Sequence, residues 1–291
     1  MNLFEQPVLL LDATGLIFRA YYSIPPLTAP DGTPTNAIHG VLGSIVKIEE
    51  EVNPTASAMI FDAGRRSFRT EMFEGYKAQR PEPPDDLRPQ FALTIEMARS
   101  LGVPTLVEAG VEADDLIASC AMEAVRNGHT VTVLTSDRDL LQLLDTDGVQ
   151  VWFPVRGGKN RLFEKWNRER FEAEYGFVPD HFPDYKALRG DPSDNIPGLP
   201  GIGEKTAMKL IADFGALEAI YEAVDSVKPD KLRLNLVDNR DNAFLYRRLV
   251  RLKRDCEAAS QIDWHAEYPI RLDSHEFRLF SERLGLKRYI K

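Results

Sequence analysis

The chain has 291 residues, of which 43% are hydrophobic and 28% charged, with a formal net charge of −9. This is an ordinary composition for a globular chain long enough to bury a sizeable core, and no apolar run approaches the ~20 residues of a membrane span. As a sum, the negative charge argues against a nucleic-acid partner, because phosphate binding needs local positive charge, so the distribution of charge matters more than the total. The first apolar run, Val8 to Leu11, ends in Asp12 and has no basic flank. No signal peptide is read there and a cytoplasmic protein is expected. Cys120 and Cys256 have no Cys or His at metal-ligand spacing and read as incidental thiols.

Three apolar runs have the character of buried strands that finish on a carboxylate: Pro7 to Asp12, Ala56 to Asp62, and Thr130 to Asp137 with Asp139 just beyond. Between them lie helical patterns at Asn36 to Glu51, Leu87 to Leu101 and Asp114 to Asn127, the last stopped by Gly128. Strands alternating with helices predict an α/β fold with a mainly parallel central sheet flanked by helices. Ligands of such sheets sit beyond the carboxyl ends of the strands, so Asp12, Asp62, Asp137 and Asp139 are expected at one crevice. Each of these alone is usually a turn or capping residue, and it is the convergence of the four that points to a site.

From Arg65 to Arg80, the basic residues Arg65, Arg66, Arg69, Lys77 and Arg80 interleave with Phe68, Phe73 and Tyr76, and prolines follow at 81, 83 and 84. Charge for phosphates and rings for bases suit a strand of nucleic acid, which makes Arg69 and Tyr76 candidate DNA contacts; a solvated amphipathic helix is the alternative. Gly110 to Ser119 holds Glu112, Asp114 and Asp115 in front of an apolar helix, with no Lys or Arg beside them. Alone this reads as a helix N-terminus. If the three share one site, each like-charge pair at ~4 Å costs on the order of 4 kcal/mol at an effective dielectric near 20, and a metal is the leading candidate for the missing cation.

A short helix is expected over Phe163 to Gly176, and then a boundary near Phe177, giving domains 1–176 and 177–291, the second helical. Its predicted helices are Asp180 to Leu188, Glu204 to Phe214, Leu217 to Val224 and Asn242 to Lys253. Gly198, Gly201 and Gly203 permit a tight hairpin before the Glu204 helix; its backbone N–H groups, with Lys205 and Lys209, can hold a phosphate. The Gly198 to Gly203 spacing imitates a P-loop, but Glu204 intervenes before the lysine and no strand precedes, so nucleotide binding is rejected. Arg247, Arg251 and Arg254 lie on one helical face and offer either a DNA-facing or a solvated stripe.

Leu-Leu-Asp-Ala-Thr near Asp12, Phe-Asp-Ala at Asp62, Tyr-Lys-Ala-Gln-Arg-Pro at Tyr76, Val-Glu-Ala-Asp-Asp at Glu112, Thr-Ser-Asp-Arg-Asp at Asp137 and Gly-Asp-Pro-Ser-Asp-Asn-Ile-Pro-Gly at Gly190 occur in one order. In that order and spacing, from Val8 to about Lys253, the chain resembles the bacterial 5′ to 3′ exonuclease and flap endonuclease family, which includes the 5′ nuclease domain of DNA polymerase I. The resemblance implies a PIN-like 5′ nuclease core, a helical arch or clamp over Arg65 to Pro84, and a C-terminal helix-hairpin-helix that grips duplex DNA. It maps family metal ligands onto Asp12, Asp62, Glu112, Asp114, Asp115, Asp137, Asp139, Asp191 and Asp194. It gives Lys77 and Arg80 contact with the scissile phosphate, makes Arg19 another basic family position, and puts a potassium-assisted phosphate contact at Gly198 to Gly203.

Hard carboxylate oxygens without His or Cys suit two Mg²⁺ ions, with Mn²⁺ as a substitute. Metal-dependent cleavage near the 5′ end of nicked, gapped or flapped DNA is thus the expected activity, with no nucleotide cofactor. No polymerase domain follows, so the chain looks like a free-standing nuclease or an isolated domain. The rivals are a non-catalytic DNA-junction binder and a PIN-type ribonuclease. An aspartyl phosphatase would need Asp where Thr14 stands, and no His sits beside a Ser or Cys motif.

Overall fold

The computed structural model describes residues 7–155 and 162–290. Positions 1–6, 156–161 and 291, which include the outer ends of both expected domain ranges, lie outside the described residues. A six-stranded sheet runs in the order β3-β2-β1-β4-β5-β6. Its strands are β1 (Pro7–Asp12), β2 (Ala56–Ile60), β3 (Thr105–Leu106), β4 (Thr130–Leu134), β5 (Val149–Pro154) and β6 (Phe163–Trp166). All pairs are parallel except β5 with β6. β1 lies between β2 and β4, with Leu11 opposite Met59 on one side and Leu134 on the other.

The continuous apolar run of β1 follows from burial on both faces, since a parallel sheet needs helices on each side. Val8 and Leu10 join Leu116, Ile117 and Cys120 of α5 (Ala113–Arg126) in one core. Leu9 and Leu11 join Leu16 and Ile17 of α1 (Ala13–Ser23) and Ile38, Val41 and Leu42 of α2 (Asn36–Val52) in the other. All four β1 side chains from Val8 to Leu11 are fully buried, each worth roughly 1.5–3 kcal/mol. The chain builds outward from β1 to β2 and β3 on one flank, and to β4, β5 and β6 on the other. The order therefore reverses between β1 and β4, the position at which open α/β sheets form a crevice.

Two expectations about this half are corrected. Phe163 to Gly176 is not one helix: Phe163–Trp166 pairs with β5, Pro154 opposite Phe163, and only then does α6 (Arg168–Tyr175) begin, capped by the Asn167 side chain. The open edge of β5 supplies ladder partners that outweigh local helical preference. Nor is Arg65 to Pro84 a helical arch. It holds a five-residue helix, α3 (Phe68–Met72), followed by turns, and the next long helix is α4 (Arg88–Ser100).

The second half is helical: α7 (Phe182–Arg189), α8 (Glu204–Phe214), α9 (Leu217–Glu222), α10 (Asp230–Asp238) and α11 (Arg240–Val250). α7, the 190–203 loop and α8 make a helix-hairpin-helix. One apolar cluster of the described residues runs from Val8 to Trp264 and packs the two halves together across Phe177. Beyond it the chain returns to the sheet: the Ser57 N–H donates to Tyr268 O, and α12 (His275–Arg283) brings Phe277 and Phe280 into the core of Leu9 and Ile38. Among the described residues no helix is long and apolar enough to cross a membrane.

Candidate active site

Asp12 ends β1 and caps α1. Its Oδ1 accepts the Gly15 N–H at 2.8 Å and its Oδ2 the Thr135 hydroxyl at 2.7 Å. A Cβ on residue 15 would lie 2.2 Å from Asp12 Oδ2, so only glycine lets the carboxylate fold back onto the helix start. Burial pushes the Asp12 carboxyl up to about 6, against these two hydrogen bonds and with help from Asp62 and Asp137.

Asp62 follows β2 and accepts the Ala113 N–H at 2.8 Å, which ties the end of β2 to the start of α5. Asp62 is exposed to solvent, yet the protein mass around it still raises its carboxyl above the ordinary range. Asp137 follows β4, accepts the Asp139 N–H at 2.9 Å and starts a 3-10 helix over Arg138–Asp145. Asp114, in the first turn of α5, is pushed well above its usual range by burial first, then by Asp137 and Asp12. Among the described residues no ion pair reaches Asp12, Asp62, Asp114 or Asp137 within 4.0 Å.

Glu112 caps α5, and the Tyr76 hydroxyl and Lys77 ammonium link its carboxylate to that of Asp194. It accepts the Ser67 hydroxyl at 2.9 Å and pairs with Lys77 Nζ at 2.6 Å. Burial would raise it, but Lys77 and Arg69 outweigh that and hold it below the usual carboxylate range. Lys77 has φ of 52°, a left-handed backbone costing about 1–2 kcal/mol for a side chain with a Cβ. Its N–H donates to Asp194 O at 2.9 Å, and Arg80 Nη2 reaches Asp194 Oδ1 at 2.7 Å, so both basic residues stand against the acidic groove.

Three sequence-based assignments change. Asp115 is 0% exposed and takes a two-pronged contact from Arg69 at 2.6 and 2.7 Å, plus the N–H groups of Lys253 and Glu112. Four protein donors occupy its oxygens, so it braces α5 and does not face the groove. Arg69, 2% exposed, also donates to Leu249 O and Arg251 O, and cannot reach nucleic acid. Tyr76, 4% exposed, has no free ring face for a base. Its hydroxyl lies 2.9 Å from Asp194 Oδ2 and 3.0 Å from Glu112 Oε2.

The 190–203 loop supplies the other side of the groove. Gly190 and Gly198 have positive φ and approach so closely that a Cβ on Gly198 would lie 2.3 Å from Gly190 N. Between them Asp191 and Ile196 form a two-residue antiparallel bridge, and Asp191 Oδ1 accepts both the N–H and hydroxyl of Ser193. Asn195 donates to Gly75 O at 2.7 Å, stitching this loop to the Tyr76–Arg80 turn. Asp139, Asp191 and Asp194 each bring one oxygen within 4.8 Å of the others, the only such group among the described residues. Gly201, Gly203, Lys205 and Lys209 are all exposed around the start of α8, whereas Gly198 is buried. Arg19 projects from α1 to Pro154 O at 2.5 Å.

Sequence reading missed Lys186. It is 7% exposed and pairs with Asp139 and Asp191, whose carboxylates outweigh burial and keep its ammonium charged. The available signal was a lysine four residues after Phe182 on the buried face of α7. The arginine stripe also dissolves. α11 stops at Val250, Arg247 pairs with Glu218 and Asp184, and Arg254 pairs with Asp145.

Comparison with known proteins matches this architecture. The family profile of the 5′-3′ exonuclease N-terminal resolvase-like domain fits residues 7–176, and that of the 5′-3′ exonuclease C-terminal SAM fold fits residues 177–270. DNA polymerase I of Mycobacterium tuberculosis is 39% identical over 289 residues, covering 95% of this chain; the chain spans 31% of that relative's length. Among solved structures, zinc-bound T5 5′-exonuclease superposes with a TM-score of 0.67 at 23% identity, over 98% of this chain and 100% of that one. A bacteriophage T5 flap endonuclease in a pseudo-enzyme-product complex with DNA and metal ions gives 0.65 at 24% identity, over 84% and 89%. Two adjoining family domains, and a relative similar along nearly the whole sequence, lead to one conclusion: the chain belongs to the 5′-3′ exonuclease family of metal-dependent nucleases.

Proposed function

We propose that the chain hydrolyses DNA phosphodiesters near the 5′ end of flapped, nicked or gapped duplex, as a divalent-metal-dependent 5′-3′ exonuclease and flap endonuclease. The observation that carries this reading is the clustering of acids from the ends of β1, β2 and β4, the start of α5 and the 190–196 loop, with Lys77 and Arg80 paired to Glu112 and Asp194 among them. The donor set fits hard divalent cations: all oxygen, no His or Cys, and several carboxylates that burial raises more than the field of Lys77 lowers them.

In this reading Asp12, Asp62, Glu112, Asp114 and Asp137 would hold one Mg²⁺ and Asp139, Asp191 and Asp194 a second, with Mn²⁺ able to replace them. When bound, the ions would supply Lewis acidity for the attacking water and the departing oxygen. The remaining tasks belong to the chain. Lys77 and Arg80 exchange their contacts with Glu112 and Asp194 for the scissile phosphate and orient it for in-line attack. Arg19, on the first turns after Asp12, adds positive charge toward the β5 side. Gly201, Gly203, Lys205 and Lys209 present backbone N–H groups and ammonium charge to a duplex phosphate, and the Gly198 to Gly203 hairpin would hold K⁺, which would add positive charge there. Local positive charge at these points answers the objection raised by the overall negative charge.

The test is product mapping on 5′-end-labelled flapped, nicked, gapped and single-stranded DNA, with matched RNA, in Mg²⁺ and in EDTA. Cleavage of flapped and nicked DNA in Mg²⁺ alone is expected, with fragment lengths separating flap cutting from stepwise removal. Flap binding without cleavage in Mg²⁺ would make the chain a junction binder, and preferential cutting of RNA would make it a ribonuclease.

A further inference from the structure

The Asp139, Asp191 and Asp194 group already contains a cation that the mechanism above leaves unused. Lys186 leaves α7 one turn before Gly190 and sets its Nζ against Asp139 Oδ1 and 2.5 Å from Asp191 Oδ2. These are two of the three carboxylates that gather within 4.8 Å of one another. The third, Asp194, holds Arg80 at 2.7 Å and Lys77 at 3.7 Å. The Phe182 ring, 5.9 Å from Nζ, closes the apolar side of the ammonium. At the ends of β1, β2 and β4 and in the first turn of α5, in contrast, no ion pair among the described residues touches Asp12, Asp62, Asp114 or Asp137, and of the acids assigned to the first ion Glu112 alone meets cations, Lys77 and Arg69.

We propose that Lys186 is the resident counter-ion of the Asp139–Asp191–Asp194 group, and that a divalent ion binding there must displace its ammonium. This rests on the metal-dependent reading above. The consequence is unequal loading: the acids beside β1 and β4 take the first ion tightly, and the Lys186 side takes the second weakly. The physical reason is that the ammonium already offsets part of the charge of Asp139 and Asp191 and, left in place, repels the incoming ion at close range. The four-carbon stem of lysine gives the ammonium room to swing out of the group. Lys186 is therefore a positioning residue that sets when the second ion enters.

The experiment is calorimetric titration of the metal-free, DNA-free full chain with Mn²⁺, checked by the electron paramagnetic resonance signal of free Mn²⁺. Two phases are expected, and Asp191→Asn, which removes a ligand of the second group, should erase the weaker one. Lys186→Met keeps the stem and removes the charge, and should tighten the weak phase by about tenfold or more while moving the tight phase by less than about twofold. Lys186→Arg, which retains the charge, should keep the wild-type weak phase. Circular dichroism reports folding, and Lys186→Gln replaces Lys186→Met if that variant fails to fold. A weak phase that is unchanged or weaker in the neutral variant overturns the counter-ion role alone. A wild-type chain that binds no Mn²⁺ at millimolar concentration overturns the metal-dependent reading as well.

Discussion

The carboxylates at the ends of β1, β2 and β4 and those gathered by the 190–196 loop carry the same functional group, yet the protein supports them in opposite ways. Asp12 and Asp62 accept from backbone and hydroxyl groups, and no ion pair reaches them among the described residues. Asp139, Asp191 and Asp194 are each met by a lysine or arginine. Asp115 is the limit of the second arrangement, one residue from Asp114 in sequence but sealed against Arg69. A buried carboxylate without a cation is costly to ionise, whereas a saturated one is part of the scaffold. The difference separates acids that meet no protein cation within 4.0 Å among the described residues from acids paired with one, and burial still pushes Asp139 up to about 7 beside Lys186.

The largest effect on stability should come from the saturated end. Asp115→Ala leaves the Arg69 guanidinium buried without its partner and should cost about 3–5 kcal/mol in denaturant unfolding of the metal-free chain. If the same variant unfolded normally but lost a metal-binding phase, Asp115 would belong with Asp114 and the comparison would break.

A smaller effect tests the unneutralised end. The Asp12 carboxyl stands near 6 in the folded chain against an ordinary value of 3.8, so the folded state binds the proton more tightly. Its penalty is absent below the unfolded value and grows as pH rises from about 4 through 6, and Asp62 and Asp114 add the same sign. In EDTA the Asp12 carboxyl should therefore cost stability on the order of 3 kcal/mol between about pH 4 and pH 7, read by chemical denaturation as the difference between the wild-type chain and Asp12→Asn, and Mg²⁺ should remove that cost. An equal difference at both pH values in EDTA would mean that this acid is neutralised from within.

The smallest effect lies outside the groove. Lys205→Ala and Lys209→Ala should each weaken binding to any duplex sequence alike and lower the salt dependence, log K against log salt, by about 1. A variant that alters cleavage position with no change in salt dependence would move these lysines out of the phosphate track.

β1, β2, β4 and α8 were legible because burial on both faces writes continuous apolar runs, and because Gly203 and Asp137 mark starts of helical turns. β3 has only two residues, and β6 exists by pairing with β5, so neither leaves a local pattern. The acids of the groove were legible as residues at strand ends, but their support was not. Arg69 and Tyr76 looked like nucleic-acid contacts because basic and aromatic residues alternate around them. Their true partners, Asp115 and Asp194, lie 46 and 118 residues away, and no local pattern distinguishes a cation aimed at substrate from one aimed at a distant carboxylate. Lys186 was hidden for the same reason, with Asp139 47 residues before it.

Asp137→Ala tests the central claim most directly, because Asp137 stands beside both Asp12 and Asp114 and has no cation of its own among the described residues. On a 5′-end-labelled flap duplex in Mg²⁺, cleavage should fall by about 10³-fold or more, with flap affinity changed by less than about threefold. Cutting at a near-wild-type rate would contradict the assignment of the groove as the site of metal-dependent phosphodiester hydrolysis.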